Sequence, residues 1–362
     1  MSFKSVALVT AIIMLVTCLA SCGGKKEKTA STASKTVSSQ ESKAEKQQEG
    51  YMNNLTGLYD LSSQDEADCR PVAVMINNLS RAQAVQTGLD GASIVYETMV
   101  EGGITRLLAI FKDVSKVGEL GTVRSARYSY VDLANGHDAT YFHCGLDKTY
   151  CGPYMKKLGE DDIDINTGTY GAYGYRVKNG LAKEHTMYTT GELIGKALKA
   201  ANNRTKKDSK HANLYEPWQN FVSKDAKVTL SGGAANNITV FYSSSYVTSF
   251  AYDAESGKYV KSNKSGNNKD YRTGKTNSYD NVLVLFTEVG NFPDNYRVYS
   301  KLDGGSGYYI SNGTYMKIKW TKGGTSDPIK ITDENGGKVS YNPGTSYVCI
   351  TSNSNQSKTT VS

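Results

Sequence analysis

The chain has 362 residues, with 42 Lys and Arg against 35 Asp and Glu and a formal net charge of +7 with histidine neutral. The excess is modest and its basic residues are interleaved with acids, which argues against a nucleic-acid partner, because such proteins gather Lys and Arg on one face.

Lys4 precedes an apolar stretch, Val6 to Ala20, that is too short to span a bilayer as a mature helix and ends in Leu19-Ala20-Ser21-Cys22. Residues 1–21 therefore read as a signal peptide and Cys22 as a lipid acceptor: small residues fit the signal peptidase, and the thiol takes a diacylglyceryl group. From Gly23 to about Gly50 almost every residue is Gly, Lys, Glu, Ser, Thr, Ala or Gln. Such a stretch cannot form a core, so 22–52 is expected to be a solvated spacer holding the body away from the membrane. The remaining residues exceed the usual size of one domain, and two are expected, 53–222 and 223–362.

The first opens with Pro71 to Asn77, a short apolar run closed by Asn77-Asn78, which predicts a buried strand and a turn. Ala92 to Tyr96, Ile104 to Phe111 and Ala139 to His143 predict further strands, the last stopped by Gly145. Thr189 and Glu192 have capping-box spacing, and Leu193, Ile194, Ala197 and Leu198 then fall on one helical face. This domain is expected to be mixed α and β. After about Phe221, Val228, Leu230, Ile238, Val240, Tyr242, Tyr246 and Val247 occur in short runs between Gly, Ser and Asn, a β-rich texture. Asn312-Gly313 separates Tyr308-Tyr309-Ile310 from Met316, Ile318 and Trp320, which alternate with Lys317 and Lys319; this predicts a hairpin. Turns at Asn335-Gly336 and Asn342-Pro343-Gly344 precede a last strand, Ser346 to Ile350. The whole is expected to be α+β, with a β-rich C-terminal domain.

Cys18 leaves with the signal peptide and Cys22 carries lipid, so Cys69, Cys144, Cys151 and Cys349 remain in the body. Cys144 and Cys151 are close enough to bridge across a short loop, and buried free thiols are the alternative. No cysteine pair has zinc-knuckle spacing, and His137, His143, His185 and His211 form no pair at helical spacing, so neither a metal nor a cofactor is expected.

The first domain contains Arg70 to Asn78, Ile94-Val95-Tyr96-Glu97, Glu101-Gly102-Gly103-Ile104-Thr105-Arg106 and Gly121-Thr122-Val123-Arg124-Ser125-Ala126-Arg127. The second contains Asn281 to Phe286, Gly305-Ser306-Gly307 and Trp320. In these motifs the chain resembles the YerB-like lipoprotein family. The resemblance implies two domains of unknown function and a layered sheet-sheet-helix architecture for the first, with no established catalytic residues. Cys144 and Cys151 depart from it, standing after His143 in a stretch expected to be free of thiols.

Gly-x-Ser-x-Gly, Ser-x-x-Lys, the phosphate-binding loop and the dinucleotide fingerprint do not occur. The densest polar cluster is Glu97, Glu101, Arg106, Arg124, Arg127 and Asp132. If Glu101 continued the strand of Glu97, both carboxylates would face one side and could act as acid and base on a glycan. The bland reading is that each pairs with an arginine, since buried charges are usually paired. Arg124 and Arg127, flanking Ser125, form forked cations able to hold a carboxylate or phosphate. His143 and His185 complete the candidate ligand-binding set, each more often a hydrogen-bonded structural histidine. The function expected is a non-catalytic envelope lipoprotein, anchored to the membrane through Cys22, that binds a wall polymer or an envelope protein such as a wall-synthesis enzyme. The alternative is a glycan-directed hydrolase using Glu97 and Glu101.

Overall fold

A computed structural model describes residues 50–263 and 266–362; the signal peptide, Cys22 and the spacer up to Glu49 lie outside the described residues. In chain order the first half contributes α1 (Gln64–Ala67), β1 (Val72–Asn77), α2 (Ser80–Gln83), β2 (Ile94–Met99), β3 (Thr105–Phe111) and β4 (Glu119–Gly121). It continues with α3 (Tyr128–Asn135), β5 (Thr140–His143), α4 (Cys151–Leu158), β6 (Asp162–Asp164), β7 (Tyr175–Arg176), β8 (Met187–Thr190) and α5 (Gly191–Ala200). The second half supplies β9 (Asn237–Ser243), β10 (Tyr246–Asp253), β11 (Lys258–Asn263), β12 (Gly266–Asn267), β13 (Ser278–Tyr279), β14 (Asn281–Thr287) and β15 (Val289–Asn291). After these come β16 (Val298–Ser300), β17 (Gly304–Ser311), β18 (Thr314–Thr321), β19 (Lys330–Thr332), β20 (Ser346–Ser352) and β21 (Thr360–Val361). The class is α+β, as expected.

Ten strands form one sheet in the order β19-β18-β17-β14-β20-β2-β3-β1-β5-β6. Its central strands β1, β3, β14 and β20 are near-continuous apolar runs because both faces are covered. Alternation divides each strand between two cores. Val72, Val74, Val95, Leu107, Val284 and Tyr347 face one side, where α5, the small sheet β4-β8-β7 and the second sheet β12-β11-β10-β9-β21 pack. Ala73, Met75, Tyr96, Leu108, Leu285 and Val348 face the other, against α3, α4, Trp218 and Trp320. A sheet-sheet-helix layering results.

The boundary expected near residue 222 separates two sequence textures, yet strands from both sides meet within the large sheet. β20 lies between β2 and β14 and runs parallel to both, pairing Glu97 with Cys349 and Leu283 with Val348. The predicted hairpin is β17-β18: Ser311 pairs with Thr314, and Asn312 (φ 50°) and Gly313 (φ 71°) take the left-handed conformations of a two-residue turn.

Two local expectations are corrected, and the choice left open for the cysteines is decided. The helix predicted from Thr189 is α5, and its cap is Thr190, whose hydroxyl accepts from the Leu193 N–H at 3.1 Å. Thr189 stays in β8 and donates to the Tyr173 carbonyl at 2.7 Å. The strand at Ser346 is not the last, because β21 follows and pairs with β9. Cys69, Cys144, Cys151 and Cys349 are free thiols, and Cys151 Sγ lies 3.5 Å from Met155 Sδ.

Candidate functional site

Strand β2 ends at Met99, and Glu101 sits beyond it in a 3-10 turn, so the two carboxylates do not share one strand face. Glu97 pairs across the sheet with Leu107, and its neighbour Thr98 pairs with Arg106. Directly opposed residues share a face, which puts Arg106 on the side away from Glu97. The expected pairing of Glu97 with the arginines is therefore corrected. Its carboxylate is fully buried between the two sheets and accepts from neutral donors: Asn78 Nδ2 at 2.9 Å, Thr105 Oγ1 at 2.7 Å, Thr248 Oγ1 at 2.9 Å and Tyr347 OH at 2.6 Å. Lys261 is buried in the same layer; burial pushes its ammonium down, and the Glu97 charge opposes that.

On the opposite face Arg127 Nε reaches both Glu101 oxygens at 2.8 Å, a partly buried ion pair of the structural kind expected for these charges. Arg106 is buried and donates through Nη1 to the Ser125 carbonyl. Burial first, then the like charges of Arg127 and Arg124, push it down to about 9, with Glu101 opposing. Asp132 was grouped with the arginines; it lies on α3 and accepts from Tyr154 OH of α4 at 2.7 Å, with burial pushing its carboxyl up. His143 is sealed, with Nε2 3.0 Å from Asp162 Oδ2 and Nδ1 3.0 Å from the Gly145 carbonyl. His185 Nδ1 lies 2.7 Å from Asn77 Nδ2, and burial pushes this imidazole down. Both histidines are thus held by the fold.

Arg124 and Ser125 differ from these, because they line an open cavity of about 510 Å³. It lies among the segment after β4, the turn at Gly145, the end of β6 and the loop between β7 and β8. Gly145 turns there at φ 78°, where a Cβ would stand 3.3 Å from Ser125 Oγ. Arg124 Nε is buried without a hydrogen-bond partner. Burial pushes this guanidinium down, Glu184 opposes the shift, and Arg127 and Arg176 add to it. The thiol of Cys144, in the same wall, is pushed up by burial and is a poor nucleophile.

Of the nine candidate residues, Arg124 and Ser125 reach the cavity, His143 and His185 buttress it one residue from its lining, and Glu97 and Asp132 stand apart. Sequence reasoning missed Lys148, Asn166, Arg176 and Lys183 in the lining. One signal was present: Asp162, Asp164 and Asn166 alternate with Ile163 and Ile165, marking a strand with one polar face, which is the edge strand β6 of the large sheet and the residues just after it. Among the described residues no group of three or more His, Cys, Asp or Glu could hold a metal ion, and no helix is long and apolar enough to cross a membrane.

Residues 55–206 match the N-terminal domain, and 238–348 the C-terminal domain, of the protein family of unknown function DUF3048. The chain is 30% identical over 306 residues to a protein of Bacillus subtilis (strain 168) named as the lipoprotein YerB, covering 82% of this chain and 85% of that protein. The crystal structure of YerB from Bacillus subtilis superposes with a TM-score of 0.70 at 25% identity, covering 86% of this chain and 99% of the other.

Proposed function

This chain belongs to the YerB-like family of two-domain DUF3048 proteins, and from that membership we propose that it is a membrane-anchored, extracytoplasmic lipoprotein whose body binds and does not catalyse. Lipid on Cys22 holds it at the membrane. The body engages a wall polymer or a wall-synthesis enzyme through the half that carries Arg124.

One observation carries the binding reading. The open cavity collects four cations against two carboxylates, with hydroxyls and an amide beside them, whereas the two carboxylates expected to cleave a glycan are occupied elsewhere, Glu97 by four neutral donors in a closed layer and Glu101 by Arg127. A general acid must reach its substrate within hydrogen-bond distance, which a sealed carboxylate does not.

The test is a pull-down from detergent-solubilised membranes, run beside incubation of the lipidated chain with peptidoglycan. Retention of wall polymer or of a wall-synthesis enzyme, with no soluble fragments released, is the expected result. Reproducible fragment release that disappears in Glu101→Gln or Glu97→Gln would overturn the reading in favour of hydrolysis. For the anchor, Cys22→Ser should leave a precursor or a released protein; a processed, membrane-bound variant would contradict lipidation.

A further inference from the structure

We propose that the Arg124 cavity is a binding pocket for a phosphoryl group carried on a polyol. The proposal rests on the binding reading above and names the ligand class of that same site.

Four cations line the cavity, Arg124, Lys148, Arg176 and Lys183, against two carboxylates, Asp164 and Glu184. Asp164 is already engaged, since its Oδ1 accepts the Gly145 N–H at 2.6 Å and the Asn166 N–H at 2.8 Å. Glu184 is exposed, with Oε1 3.7 Å from His185 Nε2. No ion pair or side-chain hydrogen bond of Arg124 is found among the described residues, in contrast to Arg127 on Glu101 and Arg204 on Asp138. A partly buried guanidinium that lacks an internal partner is costly, and an external anion removes that cost.

The burial of the lining is graded. Arg124 and Cys144 form the covered part of the wall, while Lys148, Arg176 and Lys183 are exposed at its mouth. Arg176 is fixed there by its own Nη1, which donates to the Lys183 carbonyl at 2.6 Å and to Thr186 Oγ1 at 3.3 Å. The pocket therefore offers two guanidinium forks from separate segments, with the hydroxyls of Ser125 and Thr167 and the Asn166 amide beside them. A carboxylate has two oxygens and is satisfied by one fork, whereas a phosphoryl group brings more acceptors and more charge. A volume of about 510 Å³ suits a ligand with a body attached to its anion, not a bare ion. Val123, Leu146 and Met187 contribute apolar wall, and Ser125, Asn166 and Thr167 offer a hydroxylated body hydrogen bonds that an acyl chain could not use.

The experiment titrates the mature full-length chain in detergent with sn-glycerol 3-phosphate, a short poly(glycerol phosphate), inorganic phosphate and citrate, and separately with phosphatidylglycerol vesicles. Binding of the glycerol phosphates more tightly than citrate is expected, with the vesicle arm separating a polymer source from a lipid headgroup source. Arg124→Ala and Arg176→Ala should each weaken binding by about tenfold or more, as for loss of one charge-assisted contact. Lys148→Gln, at the exposed mouth, should weaken it by about threefold or less. The Arg124→Ala melting temperature should stay level or rise, because the variant removes a like charge without breaking a pair; a merely structural arginine would lower it. Arg124→Lys keeps the charge and loses the fork, so it should bind more weakly than wild type while folding normally. Absence of binding to every phosphate probe, equal affinity for citrate, or unchanged affinity in both arginine variants overturns the assignment. If phosphate binding is absent while the pull-down still retains its partner, the pocket assignment fails and the binding reading stands.

Discussion

Glu97 shows how an ionisable residue can be legible as special in the sequence while its partners are not. A glutamate directly after Ile94-Val95-Tyr96 has to be satisfied in some way, and the nearby arginines were the obvious candidates. Strand alternation removes Arg106 to the opposite face, and two of the donors, Thr248 and Tyr347, stand 151 and 250 residues away in sequence. Local spacing carries no information about such contacts. Tyr347→Phe, which deletes the 2.6 Å hydrogen bond to Glu97 Oε2 and little else, should lower unfolding stability by about 1.5–3 kcal/mol in urea titrations. A change under about 0.5 kcal/mol would mean that the carboxylate is satisfied without it. Glu160 gives a pH signature. Burial raises its carboxyl from 4.5 to about 8, with the Asn135 amide at 2.6 Å and the Arg70 charge opposing. A folded-state value above the unfolded one gives stability that is complete below 4.5 and is lost as pH rises through about 8. Glu160→Gln removes that slope, so melting curves of variant and wild type should coincide near pH 4 and diverge in favour of the variant by about pH 9. Parallel curves throughout would show that Glu160 ionises freely in the fold.

Among the elements, those with a strong local signal were read correctly. β1, β3 and β5 fall on the predicted apolar runs, and the Asn312-Gly313 hairpin was legible because only residues that tolerate positive φ fit its two-residue turn. The cap of α5 was misplaced by one position because Thr189 and Thr190 both have a hydroxyl; register in β8, set by pairing with β4, decides which one turns toward the helix. The cavity lining was less legible. Arg176 ends the two-residue strand β7 and Lys183 lies in the connection after it, a stretch too short for periodicity, and only tertiary packing brings them to Arg124. The hairpin offers a direct check. Gly313→Ala places a Cβ 2.8 Å from Tyr252 Cε1 at φ 71°, and should lower stability by about 1–2 kcal/mol from the left-handed backbone alone. A denaturation midpoint indistinguishable from wild type would mean that the turn rearranges at no cost.

At the scale of the molecule, composition distinguishes two textures, and the two family matches, 55–206 and 238–348, follow the same division. What it does not reveal is that the halves complete each other's sheet, since strand order depends on pairings between distant segments. Residues 53–222 expressed alone leave β2 without β20 at its edge and leave Glu97 without Thr248 and Tyr347. That fragment should bind a hydrophobic dye and melt without cooperativity, and co-expression with 223–362 should restore a single sharp transition. Cooperative melting of the fragment alone would show that each half closes its own core. The position of β20 has a further consequence in time. The strand joining the first half to the second follows both of its partners, β2 and β14, along the chain, so the large sheet stays open between them until residues 346–352 have arrived. A body built this way cannot close its large sheet on a growing chain before that strand has arrived, and a copy cut short ahead of it has nothing to lay between β2 and β14.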